Sequence, residues 1–257
     1  MSAIVLFFMA TLVKSGYAQA QPQKSYLLFD TADLSQTAFR EWDEAGQVYK
    51  IKQLVTEGAL RLLLRPVGPA TAPLFHDTDT TFGGHPSLEM HGGAKLQTKL
   101  LNNIKTPFTS FVVCKATAGN EAKAGRIWRT DGAYKFYHML SGPNGNKPGK
   151  SKYSIATSSY GRVMAATLED AAPHISTGIV DGANSRIYLD GKLDGMGTIT
   201  IPEIGPMFSI GGPTKGNKGS FVGSIARIII YAGALSDEER RAIEVMLSAE
   251  YGIPVVH

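Results

Sequence analysis

Phe221–Pro254 reads FVGSIARIIIYAGALSDEERRAIEVMLSAEYGIP, and its two halves follow different periods. The first half is an isoleucine-rich run held between glycines, which predicts a strand. The second half predicts a helix. Ser236 followed by Glu239 forms a capping box, in which hydroxyl and carboxylate satisfy amides that the first turn leaves unpaired. Asp237, Glu238 and Glu239 place negative charge at the positive end of the helix dipole. Ile243, Met246, Leu247 and Tyr251 form one apolar stripe at helical spacing. Gly252 and Pro254 stop the helix. The stripe is expected to pack on the outside of the fold, across a sheet edge, where it blocks pairing with another chain.

Working back along the chain, nearly everything else reads as strand and turn. NSRIYLDGKLDG (Asn184–Gly195) is a hairpin about Asp190-Gly191, because Asp-Gly between alternating apolar residues favours a tight turn. GRIWRTDGAYKFYHML (Gly125–Leu140) is a second, about Asp131-Gly132. FTSFVVCKATAG, HPSLEMHGG, KYSIATSSYG, MFSIGG and KSYLLFDTADL add further strand signals, and RVMAATLED is a strand or a brief helix. Such signals recur about every eight to twelve residues with glycine-rich turns between them. That spacing predicts an all-β protein, a two-sheet sandwich or a barrel.

The chain has 257 residues, 43% hydrophobic and 19% charged, with 28 glycines and a net charge of +4. This is globular composition with many turns. Lys and Arg are scattered, without an Arg-rich helix or zinc spacing, so nucleic acid is not the expected partner. The single cysteine, Cys114, cannot form an internal disulfide and reads as a buried small hydrophobe. Residues 1–20 contain the apolar run SAIVLFFMATLV followed by SGYAQA. The run is too short to span a bilayer and suits a signal-peptide core, with cleavage after Ala20. The mature domain is then 21–257, exported, without disulfides, in keeping with a bacterial source. GNKPGKS (Gly145–Ser151) ends like a phosphate loop but has one residue too few between its glycines, and no helix follows.

The C-terminal segment resembles the signature of the LamG-like jelly-roll domains of the concanavalin A-like lectin/glucanase superfamily. Phe221, Gly223, Ile225, Ala226, Tyr231, Leu235, Ser236, Asp237, Glu238 and Arg240 carry the match. IYLDGKLDG is similar to that group's paired strands, and MFSIGG to its next strand. GGHPSLEMHGG and FTSFVVCKA resemble earlier ones, while WDEAGQ matches its opening motif only at Trp42 and Gly46. His91 departs from the acidic residue usual before glycine. The resemblance implies a two-sheet antiparallel jelly-roll sandwich with one C-terminal helix. It does not fix activity, because one fold carries many functions.

The resemblance leaves three functions open. The first is an exported, non-catalytic carbohydrate-binding or adhesion protein with a glycan or cell-surface polysaccharide as partner. Aromatic faces and fixed polar groups hold sugars, and the candidates are Trp128, Asp131, Tyr134, Tyr137 and Tyr153. Tyr134 and Tyr137 differ in parity and cannot share a strand face. The second is a structural or receptor-binding protein of a virus particle. The third is a glycosidase or lyase. For that activity the resemblance implies E-x-D-x-E or E-x-D-x-x-E on one strand, whereas REWDEAGQ places Glu41 and Asp43 correctly and Glu44 one residue early. No catalytic residue is assigned. HDTDT offers Asp77 and Asp79 as oxygen ligands for calcium if loop carbonyls complete the shell. His85 and His91 alone make a poor zinc site.

Overall fold

A computed structural model describes residues 72–100, 102–117, 125–141, 151–213, 216 and 219–257, with six short strands nearer the N-terminus. The predicted signal peptide, the side chains of Glu41–Glu44 and the loop 142–150 lie outside the described residues. In chain order the strands are β1 (Ser25–Asp30), β2 (Arg40–Trp42), β3 (Val48–Ile51), β4 (Val55–Thr56), β5 (Leu60–Arg61), β6 (Arg65–Pro66) and β7 (Leu74–Asp79). They continue as β8 (His85–Met90), β9 (Leu96–Lys99), β10 (Ile104–Lys105), β11 (Phe108–Ala116), β12 (Gly125–Asp131), β13 (Phe136–Ser141) and β14 (Lys152–Thr157). The remainder are β15 (Arg162–Met164), β16 (Pro173–Val180), β17 (Gly182–Leu189), β18 (Lys192–Ile199), β19 (Glu203–Ile204), β20 (Met207–Ile210) and β21 (Gly223–Ala232). One α-helix, α1 (Asp237–Tyr251), closes the described chain.

Two antiparallel sheets make the sandwich. The first, here the back sheet, runs β18-β17-β16-β11-β21-β1-β4-β5, with β8 also pairing β21 and β7 pairing β8. The second, the front sheet, runs β15-β14-β13-β12-β20-β9-β6. The all-β jelly-roll architecture is as the sequence predicts, and RVMAATLED supplies a strand at Arg162–Met164 rather than a helix.

The described apolar residues form two clusters, and strand parity assigns them. Along β11, Phe108, Val112, Cys114 and Ala116 point between the sheets, while Phe111 and Val113 point to the back. A strand buried on both faces loses the polar alternation of a half-exposed one, which is why FTSFVVCKA reads as continuous. β21 does the same with Ile225, Ile228 and Ile230 inward and Ala226, Ile229 and Tyr231 to the back. Burial pushes the Cys114 thiol up to about 12, which keeps it protonated and inert.

Helix α1 covers that back face. Ile243, Leu247 and Tyr251 pack against residues of β11, β16 and β21. The expected position across a sheet edge is therefore corrected. The stripe lies over central strands, because Phe111, Val113, Ile175, Ile229 and Tyr231 present there the apolar surface a helix needs. The capping box forms as predicted, and Gly252 ends the helix in the left-handed conformation. Polar groups fix the helix's rotation. Glu244 is fully buried, accepts from Thr177 Oγ1 at 2.7 Å and pairs with Arg240. The Arg240 guanidinium lies 3.8 Å from the centre of the Tyr188 ring and donates to the Gly191 carbonyl. Desolvation raises the Glu244 carboxyl above the usual carboxylate range, although Thr177 and Arg240 pull it down.

The Asp190-Gly191 turn forms with both residues at positive φ, 50° and 83°. Leu189 pairs Lys192 across it. At the sandwich flank, edge strands β15 and β18 of different sheets nearly touch. A Cβ on Gly161 would lie 1.9 Å from the Thr198 carbonyl oxygen, and one on Gly195 2.3 Å from that of Met164. Glycine is what permits the two edges to close on each other.

Candidate functional site

The outer face of the front sheet differs in character from the back. Cross-strand partners share a face, so register alone gives the row that crosses it. Arg162 stands opposite Ala156, Ala156 opposite Tyr137, and Tyr137 opposite Arg129. Arg129 stands opposite Ser209, and Ser209 opposite Gln97. Their neighbours Val163, Ile155, Phe136, Trp128, Phe208 and Leu96 fill the core, so this row points outward.

One irregularity gives the row its chemistry. β12 carries an extra residue opposite β13 between Arg126 and Trp128. Ile127, the extra residue, turns into the core beside Trp128. In a regular strand, residues three apart face opposite ways. The bulge instead puts Arg126, opposite Met139, on the same face as Arg129. Both guanidiniums then meet Tyr137. Arg126 Cζ lies 5.1 Å and Arg129 Cζ 5.0 Å from the ring centre, within the range of cation–π attraction. Arg129 also pairs with Asp131.

The floor beside these groups is small and buried: Ser154, Ala156 and Ser209 are fully covered. Two donors on the row are buried without an acceptor, Arg129 Nε and Gln97 Nε2. A buried donor left unpaired costs about 1–3 kcal/mol.

The five aromatic and acidic candidates separate into three groups. Trp128 and Tyr153 are fully buried in the core. Trp128 packs on Phe136 and Phe208 with ring centres 4.9 and 5.6 Å away, and offers no surface to a ligand. Tyr137 and Asp131 come together on the outer face with Arg126 and Arg129. Tyr134 points the other way, packs partly on the core and meets the exposed Tyr160 at 5.3 Å, at one end of the sandwich. Sequence reasoning passed over Arg126, Arg129, Gln97 and Ser209. The alternation Arg129-Thr130-Asp131 was a signal for one of them; nothing local marks the others.

Asp77 is exposed, and Asp79 caps a short 3-10 turn at Thr80–Phe82. One Asp79 oxygen accepts from Thr81 N at 2.9 Å and the other from Ser87 Oγ at 2.7 Å. Among the described residues, no group of three or more His, Cys, Asp or Glu is arranged to hold a metal ion. His91 bonds the Ala72 carbonyl at 2.8 Å, and His85 packs on Tyr251.

Two further polar clusters tie the fold together. His138 is fully buried between the sheets, with Nδ1 3.1 Å from Ser110 Oγ and Nε2 2.8 Å from Ser176 Oγ. His174 is held by Asp190 at Nδ1, 2.6 Å, and by Asp170 at Nε2, 2.8 Å. Burial alone would lower the His174 pKa. The bonds and charges of Asp190 and then Asp170 outweigh it and raise the pKa above the ordinary imidazole value. The contact's contribution is therefore complete below the unfolded pKa, about 6.5, and is lost as pH rises through the folded one. His174→Gln is expected to lower stability by about 1–3 kcal/mol at pH 5.5 and by less at pH 9. Denaturant unfolding at the two pH values checks this; an equal deficit at both would contradict it.

No family model and no curated relative matches the chain. Among solved structures it is similar to domain 4 of AbnA, a GH43 extracellular arabinanase from Geobacillus stearothermophilus, in complex with arabinotriose. The identity is 13% and the TM-score 0.54, over 87% of this chain and 98% of that one. It is also similar to the receptor binding domain of botulinum neurotoxin C/D mosaic serotype, with 11% identity and a TM-score of 0.51. That match covers 88% of this chain and 51% of the other. These likenesses establish a β-sandwich fold of the kind found in both proteins.

Proposed function

We propose that this chain is an exported, non-catalytic carbohydrate-binding protein of the LamG-like, concanavalin A-like kind, and that it holds its glycan on the outer face of the front sheet. One observation carries the reading. Two guanidiniums stand over the Tyr137 ring, and Tyr137 and Arg126 keep part of their surface exposed. Sugars are dense in hydroxyl and ring-oxygen acceptors, and a shallow site with a few fixed donors suits them. The similarity to a sandwich domain solved with arabinotriose supports the same reading. The test is affinity electrophoresis of the full chain against neutral and charged polysaccharides, in the presence and absence of calcium. Retardation by at least one polymer, without release of reducing ends, is the expected result. Free migration through every polymer would refute carbohydrate binding, and reducing-end release would refute the non-catalytic role.

A further inference from the structure

We propose that Tyr160, seated against Tyr134 at one end of the sandwich, is a stacking platform for a pyranose ring of the bound glycan. This rests on the carbohydrate reading above and adds a point of contact outside the front-sheet row. Strand pairing brings the two tyrosines together. Phe136 of β13 stands opposite Thr157 of β14, so the turn 158–161 lies beside residues 132–135, which lead into β13. The two rings meet at 5.3 Å and 61°. Tyr160 keeps 46% of its surface exposed, and no other Phe, Tyr or Trp among the described residues is exposed. Exposure at a loop tip usually goes with mobility. Here the backbone is fixed instead. Tyr160 N donates to Thr157 Oγ1 at 2.7 Å, and the Tyr160 carbonyl accepts from Thr200 N at 3.0 Å. The Gly161 carbonyl accepts from Thr157 N at 2.9 Å and from Thr157 Oγ1 at 3.2 Å.

An ordered, half-bare ring suits a sugar. One face of a pyranose carries C–H groups that are apolar and slightly positive, and they complement the negative face of an aromatic ring. Covering the ring also removes apolar surface from water. The turn and the neighbouring ring already hold Tyr160, so binding has less side-chain and loop freedom to remove. Ser158 and Ser159 are exposed in the same turn and carry hydroxyls that can each donate and accept, as the sugar's own hydroxyls require. A proline-rich peptide also stacks on aromatic rings, but it docks in a groove that several of them line. Rings in contact at 5.3 Å leave one platform and no groove between them.

The experiment is titration calorimetry of the full chain, of Tyr160→Ala and of Tyr160→Phe with cellohexaose, xylohexaose, mannohexaose and maltohexaose, and with poly-L-proline. At least one hexaose is expected to bind. Tyr160→Ala should weaken that binding by about tenfold, the upper range for a stacking contact. Tyr160→Phe keeps the ring face and should bind nearly as tightly as the unchanged protein. An unchanged unfolding midpoint shows that the fold is intact. Unchanged affinity in Tyr160→Ala overturns the platform and leaves the carbohydrate reading standing. Equal weakening in Tyr160→Phe and Tyr160→Ala also overturns it, because the hydroxyl and not the ring face would then carry the contact. Poly-L-proline binding through Tyr160 more tightly than every hexaose overturns the sugar assignment. Binding of no hexaose overturns the platform, and the electrophoresis above then decides whether any polysaccharide binds at all.

Discussion

Acidification from pH 6.5 to 4 is expected to destabilise this protein by roughly 1 kcal/mol per pH unit through His138 alone. The imidazole lies fully buried between the sheets, and desolvation lowers its pKa to about 3. Its value in the unfolded chain is about 6.5. Between those limits the unfolded state binds a proton that the folded state refuses, so each step down in pH favours unfolding. The loss levels off below about 3, once the folded imidazole also protonates. A neutral imidazole is what the site requires, since the two serine hydroxyls can serve it as one donor and one acceptor. His138→Gln should be less stable at pH 7, because one serine loses its partner, yet its stability should fall less steeply from pH 6.5 to 4. Denaturant unfolding across that range compares the two slopes. Parallel curves would show that His138 does not resist protonation. His174 gives the opposite dependence, strongest in acid, so the two histidines shape different limbs of the pH profile.

The second large effect concerns glycan affinity. Arg129→Gln should weaken binding by about 10- to 100-fold, the worth of one charge-assisted hydrogen bond. Tyr137→Ala should weaken it by about tenfold, because the ring positions both guanidiniums and each cation–π contact contributes about 0.5–2 kcal/mol. Tyr137→Phe keeps the ring face and should bind nearly as tightly as the unchanged protein. That conservative variant separates positioning from a bond to the hydroxyl. If Tyr137→Phe binds as weakly as Tyr137→Ala, the phenol itself touches the ligand. If Arg129→Gln binds normally, the site lies elsewhere on the molecule.

The features legible in the sequence are those decided within one or two turns of chain. The cap at Ser236 and Glu239, the stop at Gly252 and the Asp190-Gly191 turn depend on local backbone needs, and all three form. The helix's resting place depends instead on which strands are apolar on both faces, so the edge position read from its stripe was displaced to the sheet centre. The candidate site was less legible still. Trp128 and Tyr137 look alike as strand aromatics, and only register sends one inward and the other out. Gln97, Arg129 and Ser209 become neighbours through pairing of β9, β20 and β12, contacts far apart in sequence that no motif announces. Arg126 was hidden by the bulge at Ile127, which breaks the parity rule that sequence reading relies on.

That single extra residue also writes a phase slip into the tolerance of β12 to change. Positions 126, 129 and 131 point away from the core between the sheets, and 127, 128 and 130 point into it. Saturation mutagenesis of this strand would therefore show two adjacent intolerant positions where a regular strand shows one. The slip sets two neighbouring arginines on the side of the sheet away from the packing of Ile127 and Trp128 that lies between them in sequence.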